Sequence, residues 1–121
     1  MAKHILVADD SATIRKFVST SLSMLGYVVT IAQDGMDALE KLAGQEVDLV
    51  ITDLNMPNVD GFEFIKSLRE LDSYKTVPII ILSSLASDED VSRGMALGAN
   101  SYMFKPFDPK RLQYEVAKYL N

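Results

Sequence analysis

The chain has 121 residues, of which 48% are hydrophobic and 24% are charged, and its formal net charge at pH 7 is −5. This length predicts one ordinary domain, over residues 1–121, that buries enough surface to fold alone. The acidic balance argues against binding to nucleic acid, and the absence of cysteine excludes disulfides and thiolate metal sites. The N-terminus has too few apolar residues before its first aspartates for a signal peptide or membrane span, which predicts a cytoplasmic protein without a membrane anchor.

Short apolar segments alternate with segments of helical periodicity along the whole chain. Nearly continuous apolar runs are typical of strands buried on both faces, and they predict strands at residues 4–8, 27–32, 47–52, 77–82 and 101–104. A helical pattern follows each of these runs. We expect Asp10 or Ser11 to cap the first helix, Gly44 to end the second, and Asp108 with Pro109 to begin the fifth.

This strict alternation of strand and helix predicts an α/β fold. Right-handed crossover connections then place the five strands in one parallel sheet with helices on both faces. For a (βα)5 chain we expect the flavodoxin-like, doubly wound order 2-1-3-4-5, although periodicity alone does not determine strand order.

Polar and charged residues stand at the carboxyl ends of four predicted strands. Asp9 and Asp10 follow the first strand, Asp53 the third, Ser83 the fourth and Lys105 the fifth. Ligands of an open parallel sheet bind outside these ends, so we expect the five side chains to converge. Each alone has a structural interpretation as a helix cap, a turn residue or a neutralising charge. Their coincidence at one edge favours a functional site.

The predicted cluster of three carboxylates needs a cation, because like charges repel and raise one another's pKa values. Oxygen ligands without histidine or thiolate favour a hard ion, and Mg²⁺ suits a site with few carboxylates and room for a phosphate oxygen. We expect Asp10 and Asp53 to coordinate Mg²⁺ directly and Asp9 to do so mostly through water. The backbone carbonyl of Asn55 is expected to supply a further oxygen.

A metal ion beside a carboxylate and an ammonium group suits phosphoryl transfer. We expect Asp53 to be the phosphoryl acceptor, because it follows the predicted central strand and precedes a loop that can curl around the product. Lys105 is expected to pair with one phosphoryl oxygen, and Ser83 to donate a hydrogen bond to another.

Four motifs together resemble the receiver domain of two-component response regulators, and above all its single-domain chemotaxis members. They are DD after the first strand, TDLNMPNVDGFE after the third, SS after the fourth and ALGANSYMFKPF around the fifth. The resemblance covers the whole chain. It implies that a histidine kinase phosphorylates Asp53, that Ser83 and Lys105 are the family's hydroxyl and lysine, and that Asp9, Asp10 and Asn55 hold Mg²⁺.

The resemblance also implies a conformational switch. Ser83 would move toward the phosphoryl group and Tyr102 would turn inward, reshaping the face made by the fourth helix, fifth strand and fifth helix. A cis peptide bond between Lys105 and Pro106 is implied as well. Gly94, inside the fourth helix, indicates either a mobile helix or close packing.

The leading functional hypothesis is a phosphorylation-switched binding module that is not an enzyme beyond its own dephosphorylation. Its expected partners are a histidine kinase and an effector such as a flagellar motor switch protein, with a phosphatase as a further candidate. We expect a monomer when unphosphorylated. We expect no output domain after the predicted fifth helix, and we therefore expect the output to lie in a partner. A phosphate sink or relay, or a receiver excised from a longer regulator, are the alternatives.

Two other functional classes fit the sequence less well. A metal-dependent phosphatase with an aspartyl nucleophile needs an acid two residues later, where the amide of Asn55 cannot protonate a leaving group. Flavin or nucleotide binding is disfavoured because the first loop is acidic and both glycine-rich phosphate-binding motifs are absent.

Overall fold

Five strands and five α-helices alternate along the chain in the computed structural model, which describes residues 2–121. The strands are β1 (His4–Ala8), β2 (Val28–Ala32), β3 (Leu49–Thr52), β4 (Ile79–Ser83) and β5 (Ser101–Phe104). The helices are α1 (Ala12–Ser23), α2 (Gly35–Ala43), α3 (Gly61–Glu70), α4 (Asp88–Ala96) and α5 (Pro109–Leu120). A short 3-10 helix, Asp72–Tyr74, follows α3 and was not predicted.

All strands lie in one parallel sheet of order β2-β1-β3-β4-β5, which confirms the predicted α/β fold and strand order. The central strand β3 lies between β1 and β4, and the order reverses beside β1. In the register of β1 and β3, Ala8 is opposite Thr52. The residues that follow these two positions are therefore neighbours at the carboxyl edge of the sheet.

The starts of β2, β3 and β4 were predicted one or two residues too early. Val47 and Val77 are buried, with exposed fractions of 7% and 8%, yet each precedes its strand. An apolar pattern indicates burial rather than strand pairing, and these two side chains pack into the core although they lie in the loops that precede the strands. The end of β4 was predicted one residue too early, because the polar Ser83 still belongs to the strand.

Each face of the sheet carries its own apolar core. Alternating side chains point to opposite faces, so Leu6 and Val50 pack on the side of α2 and α3, while Ile5 and Ile51 pack on the side of α1 and α5. The helices contribute buried apolar side chains to these cores, among them Ala38, Leu42, Phe64 and Leu68 on the first side and Val18, Leu22, Leu112 and Val116 on the second.

Every α-helix begins with a side chain that accepts a hydrogen bond from the first turn; these caps are Ser11, Asp34, Asp60, Ser87 and Asp108. Of the two caps considered for α1, the structure selects Ser11, which leaves the Asp10 carboxylate exposed at the edge of the sheet. Between residues 2 and 121, none of the helices combines the length and the hydropathy that a membrane crossing needs.

Candidate functional site

The three aspartates that follow β1 and β3 form an acidic cluster. Asp9, Asp10 and Asp53 each offer a carboxylate oxygen within 4.8 Å of those of the other two. Asp9 and Asp53 are buried, with exposed fractions of 2% and 6%, whereas Asp10 is exposed. The cluster therefore has a buried floor and one solvent-accessible carboxylate at its mouth.

Lys105, the residue after β5, bridges the two buried carboxylates. Its Nζ lies 2.7 Å from Asp9 Oδ2 and 2.9 Å from Asp53 Oδ2. Burial acts to lower the pKa of the Lys105 ammonium, but the hydrogen bonds with Asp9 and Asp53 outweigh burial and raise it. Burial raises the pKa of the Asp9 carboxyl, and the hydrogen bonds from Lys105 and Ser11 offset only part of that effect. The cluster thus favours a cation and disfavours its own negative charge.

The backbone around Asp53 holds its carboxylate in one orientation. Asp53 Oδ1 accepts hydrogen bonds from the amides of Leu54 at 2.7 Å and Asn55 at 3.4 Å. The Gly61 amide donates to the Leu54 carbonyl at 2.9 Å, and a Cβ at Gly61 would overlap the backbone carbonyl of Asp53. Only glycine allows this close approach, so the start of α3 keeps the backbone of Asp53 in place.

Ser83 and Tyr102 converge on the same residue beyond β4. Ser83 is fully buried, and its Oγ accepts a hydrogen bond from the Leu85 amide at 3.3 Å. The hydroxyl of the half-buried Tyr102 donates to the Leu85 carbonyl at 2.6 Å. Leu85, two residues beyond β4, therefore connects the two side chains for which the sequence suggested a switch.

Gly94 is a close-packing residue of α4. A Cβ at Gly94 would lie 2.5 Å from Ile81 Cδ1 and 3.7 Å from the ring of Tyr102. Of the two interpretations of this glycine, packing is therefore sufficient, and Gly94 is the buried residue of α4.

The guanidinium of Arg93 also lies 4.1 Å from the ring centroid of Phe62 on α3. The Lys105–Pro106 bond is cis, as the resemblance implied.

The donor set of the acidic cluster fits a hard divalent cation. Three carboxylates face one ammonium group, so a surplus of negative charge remains at the mouth of the cluster. The donors are oxygens, which Mg²⁺ prefers, and the exposed Asp10 leaves one side open to solvent. Such a set can hold a metal ion and receive a negatively charged group beside a buried carboxylate.

Two contacts around the cluster were not anticipated from the sequence. Arg15 Nη1 donates to the backbone carbonyl of Asp9 at 2.7 Å. Asn58 Nδ2, in the loop after β3, donates to Asp34 Oδ2 at 2.9 Å. The helix-cap pattern indicates the role of Asp34 at the start of α2, but its partner is set by the tertiary approach of two loops.

Comparison with known proteins identifies the family. The Response regulator receiver domain family matches residues 5–117. Chemotaxis protein CheY1 of Helicobacter pylori is 38% identical over 114 residues, which cover 93% of this chain and 92% of that protein. The probable transcriptional regulator ycf27 of Guillardia theta is 42% identical over 114 residues, which cover 94% of this chain and 44% of the relative. This chain therefore spans less than half the length of that regulator.

A similar solved structure gives the same result. The chemotaxis protein CheY4 of Vibrio cholerae, crystallised at low pH, superposes with a TM-score of 0.94 at 39% identity, covering 98% of this chain and 99% of that chain. Together with the family match over residues 5–117, this agreement shows that the chain belongs to the receiver domains of response regulators, the signalling modules of two-component systems.

Proposed function

We propose that this receiver is switched by Mg²⁺-dependent phosphorylation of Asp53 by a histidine kinase. The placement of the Asp53 carboxylate carries the proposal: it is buried, held by backbone amides, and 2.9 Å from the Lys105 ammonium. The carboxylates of Asp9 and Asp10 beside it supply the oxygen donors that a divalent ion needs.

The reaction is the transfer of a phosphoryl group to a carboxylate. An oxygen of Asp53 forms a bond to phosphorus, and the N–P bond of a kinase phosphohistidine breaks. The electron pair of that bond stays on the imidazole nitrogen, which takes a proton from solvent. Lys105 pairs with a phosphoryl oxygen, because its ammonium already contacts the acceptor. The amides of Leu54 and Asn55 keep the acceptor oriented for in-line attack.

We propose that the metal ion is held by Asp9, Asp10, Asp53 and the backbone carbonyl of Asn55. When bound, Mg²⁺ supplies charge neutralisation for the transferred group. Phosphate is later lost by hydrolysis, and we propose no other enzymatic activity for the chain.

The proposed output is a change of the face formed by α4, β5 and α5. In this structure the Ser83 hydroxyl accepts a hydrogen bond from the Leu85 amide. A hydrogen bond from Ser83 to the phosphoryl group would draw the hydroxyl away from that amide. Because Tyr102 bonds to the carbonyl of the same residue, its packing changes with it. Met95 and Phe104, with exposed fractions of 40% and 48%, offer apolar area for an effector on this face.

Two pathways are supported by different observations. The near-complete coverage of the chemotaxis protein CheY1 supports a role in chemotaxis. For that role we propose a single receiver over residues 1–121 that is monomeric when unphosphorylated, acts in the cytoplasm on a flagellar motor switch protein and is served by a phosphatase. The similarity to ycf27 supports a second candidate, the receiver part of a longer transcriptional regulator. A phosphate sink or relay would use the same acceptor without an effector that binds the face of α4, β5 and α5.

The test is the intact mass of the protein after incubation with acetyl phosphate, with Mg²⁺ or with a chelator. We expect one phosphoryl group that requires Mg²⁺, is lost at alkaline pH and is absent from Asp53→Asn. Asp60→Asn is the matched control, since Asp60 is an exposed aspartate near the same loop that caps α3. Equal labelling of Asp53→Asn and the wild type would contradict the proposal.

A further inference from the structure

The loop that follows β3, residues 54–60, is held by hydrogen bonds at its start and again at Asn58. At its start, the amides of Leu54 and Asn55 donate to Asp53 Oδ1. Farther along, Asn58 Nδ2 donates to Asp34 Oδ2 at 2.9 Å, across 24 residues of sequence. The loop that carries Asn55 is thereby connected to the start of α2.

Asp34 is a rigid anchor for this connection. Its Oδ1 accepts the Asp37 amide at 2.8 Å and caps α2, and the residue is only 7% exposed. Hydrogen bonds from the Asp37 amide and from Asn58 lower the pKa of the Asp34 carboxyl, so it is charged at neutral pH. The amide of Asn58 therefore binds a charged acceptor that belongs to the sheet-packed helix α2.

A second contact reinforces the first at the neighbouring residues. The Gly35 amide donates to the Val59 carbonyl at 3.3 Å, and a Cβ at Gly35 would lie 2.5 Å from that oxygen. Asn58 itself has φ of 66°, a left-handed conformation that is uncommon outside glycine. This backbone conformation needs support from its surroundings, and the bond to Asp34 provides it.

We propose that Asp34 is a positioning residue for the metal site: through Asn58 it holds the loop so that the Asn55 carbonyl stays at the acidic cluster. This inference rests on the proposed function, in which that carbonyl is a metal ligand. A loop that is already ordered loses less conformational entropy when the ion binds. The hydrogen bond between Asn58 and Asp34 should therefore increase Mg²⁺ affinity. Residues that orient ligands from outside typically change metal affinity 10- to 100-fold.

The test compares Mg²⁺ dissociation constants of unphosphorylated variants, measured from backbone amide shifts in NMR titrations. Asn58→Asp places two carboxylates against each other, and we expect roughly tenfold weaker binding. Adding Asp34→Asn to this variant exchanges the two side chains, so that an amide at position 34 donates to a carboxylate at position 58. The amide oxygen at position 34 can still accept the Asp37 amide at the helix cap. The Mg²⁺ affinity of the double variant should therefore recover. Asp60→Asn changes another helix cap, at the last residue of the loop, and keeps the oxygen that accepts the Glu63 amide, so it should bind Mg²⁺ like the wild type.

A purely structural role for Asp34 predicts a different pattern. Asn58→Asp would then melt earlier but would bind Mg²⁺ with the wild-type constant well below its melting midpoint, and this result would overturn the inference while leaving the metal site intact. Should Asn58→Asp not fold, Asn58→Gly removes the side-chain amide and tolerates the positive φ. We again expect weaker Mg²⁺ binding, and unchanged binding would contradict the positioning role of Asp34. Absence of Mg²⁺ binding by the wild type would overturn the proposed metal site itself.

Discussion

Two partly buried basic side chains, Lys105 and Arg69, lie at opposite ends of the sheet and bind different kinds of acceptor. Lys105, at the carboxyl end, contacts the side-chain carboxylates of Asp9 and Asp53. Arg69, before β4 and β5, donates to neutral acceptors at 2.7 to 3.1 Å, namely the carbonyls of Tyr74, Val77 and Gly98 and the side-chain oxygen of Asn100. The neutral acceptors around Arg69 are occupied by its guanidinium, whereas the carboxylates around Lys105 carry charge that a second cation can also neutralise.

The carboxylates at the two ends differ in the same way. Glu115 is only 4% exposed; it accepts from Ser101 and is paired with Lys118 at 3.2 Å and Arg111 at 3.5 Å. At the other end, Asp9 shares one ammonium with Asp53. The amino end therefore satisfies its charges internally, while the carboxyl end keeps an excess of negative charge that an external cation can neutralise.

The largest effect on stability should come from Arg69. We expect Arg69→Met to lower the free energy of unfolding by about 3 kcal/mol, because partly buried carbonyls lose their charged donor. Arg93→Met is the matched control: this exposed guanidinium stacks on Phe62 and should cost about 0.5–1 kcal/mol. Urea denaturation measures the free energy of unfolding of both variants. A loss for Arg69→Met no larger than that for Arg93→Met would contradict the stabilising role of Arg69.

Replacing Lys105 should have a smaller effect on stability than replacing Arg69, and this effect should depend on Mg²⁺. In chelator, Lys105→Met leaves Asp9 and Asp53 facing each other without a cation, and we expect a lower melting temperature. Mg²⁺ at ten times its dissociation constant should add about 1.4 kcal/mol to any variant with an intact site. At one fixed Mg²⁺ concentration Lys105→Met should gain more than the wild type, since no ammonium competes for its carboxylates.

The control for this experiment is the variant at the other end of the sheet. Arg69→Met should gain the same increment from Mg²⁺ as the wild type, because its acceptors do not bind the ion. Equal increments for Lys105→Met and Arg69→Met, measured by circular dichroism melting, would show that the ammonium does not compete with the metal.

The carboxyl end of the sheet could be predicted from sequence far better than the amino end. Alternation of apolar strands and helices determines which residues leave the sheet at one edge, so the meeting of Asp9, Asp10 and Asp53 follows from strand order. The bridging position of Lys105 between two carboxylates did not follow, because its partner depends on which rotamer the packed strands permit.

At the amino end, the partners of Arg69 come from two connections, between α3 and β4 and between α4 and β5, that no local pattern links. Its position at the end of α3 is that of an ordinary solvated basic residue in the last turn. Glu115 likewise occupies a helix in which charged residues are common, and only the fold reveals that it is buried against Ser101. Long-range contacts of this kind have no signature in periodicity or spacing.

The smallest predicted effect concerns pH and distinguishes the two buried carboxyls, Asp9 and Glu115, by sign. Burial raises the pKa of Asp9 in the folded protein, so its contribution to stability is greatest below the unfolded pKa of about 4 and falls as pH rises through the folded value. For Glu115, burial is outweighed by the hydrogen bonds from Lys118 and Ser101, and the pKa is lowered. Its contribution is present above the unfolded pKa of about 4.3 and is lost as pH falls through the folded value.

Urea unfolding of metal-free protein between pH 3 and 7 should therefore give opposite slopes for two variants. The stability of the wild type relative to Asp9→Asn should decrease as pH rises, whereas its stability relative to Glu115→Gln should increase. Slopes of the same sign would mean that Lys105 stabilises the Asp9 carboxylate as fully as Lys118 stabilises Glu115. This result would contradict the conclusion that burial makes the acidic cluster disfavour its own negative charge.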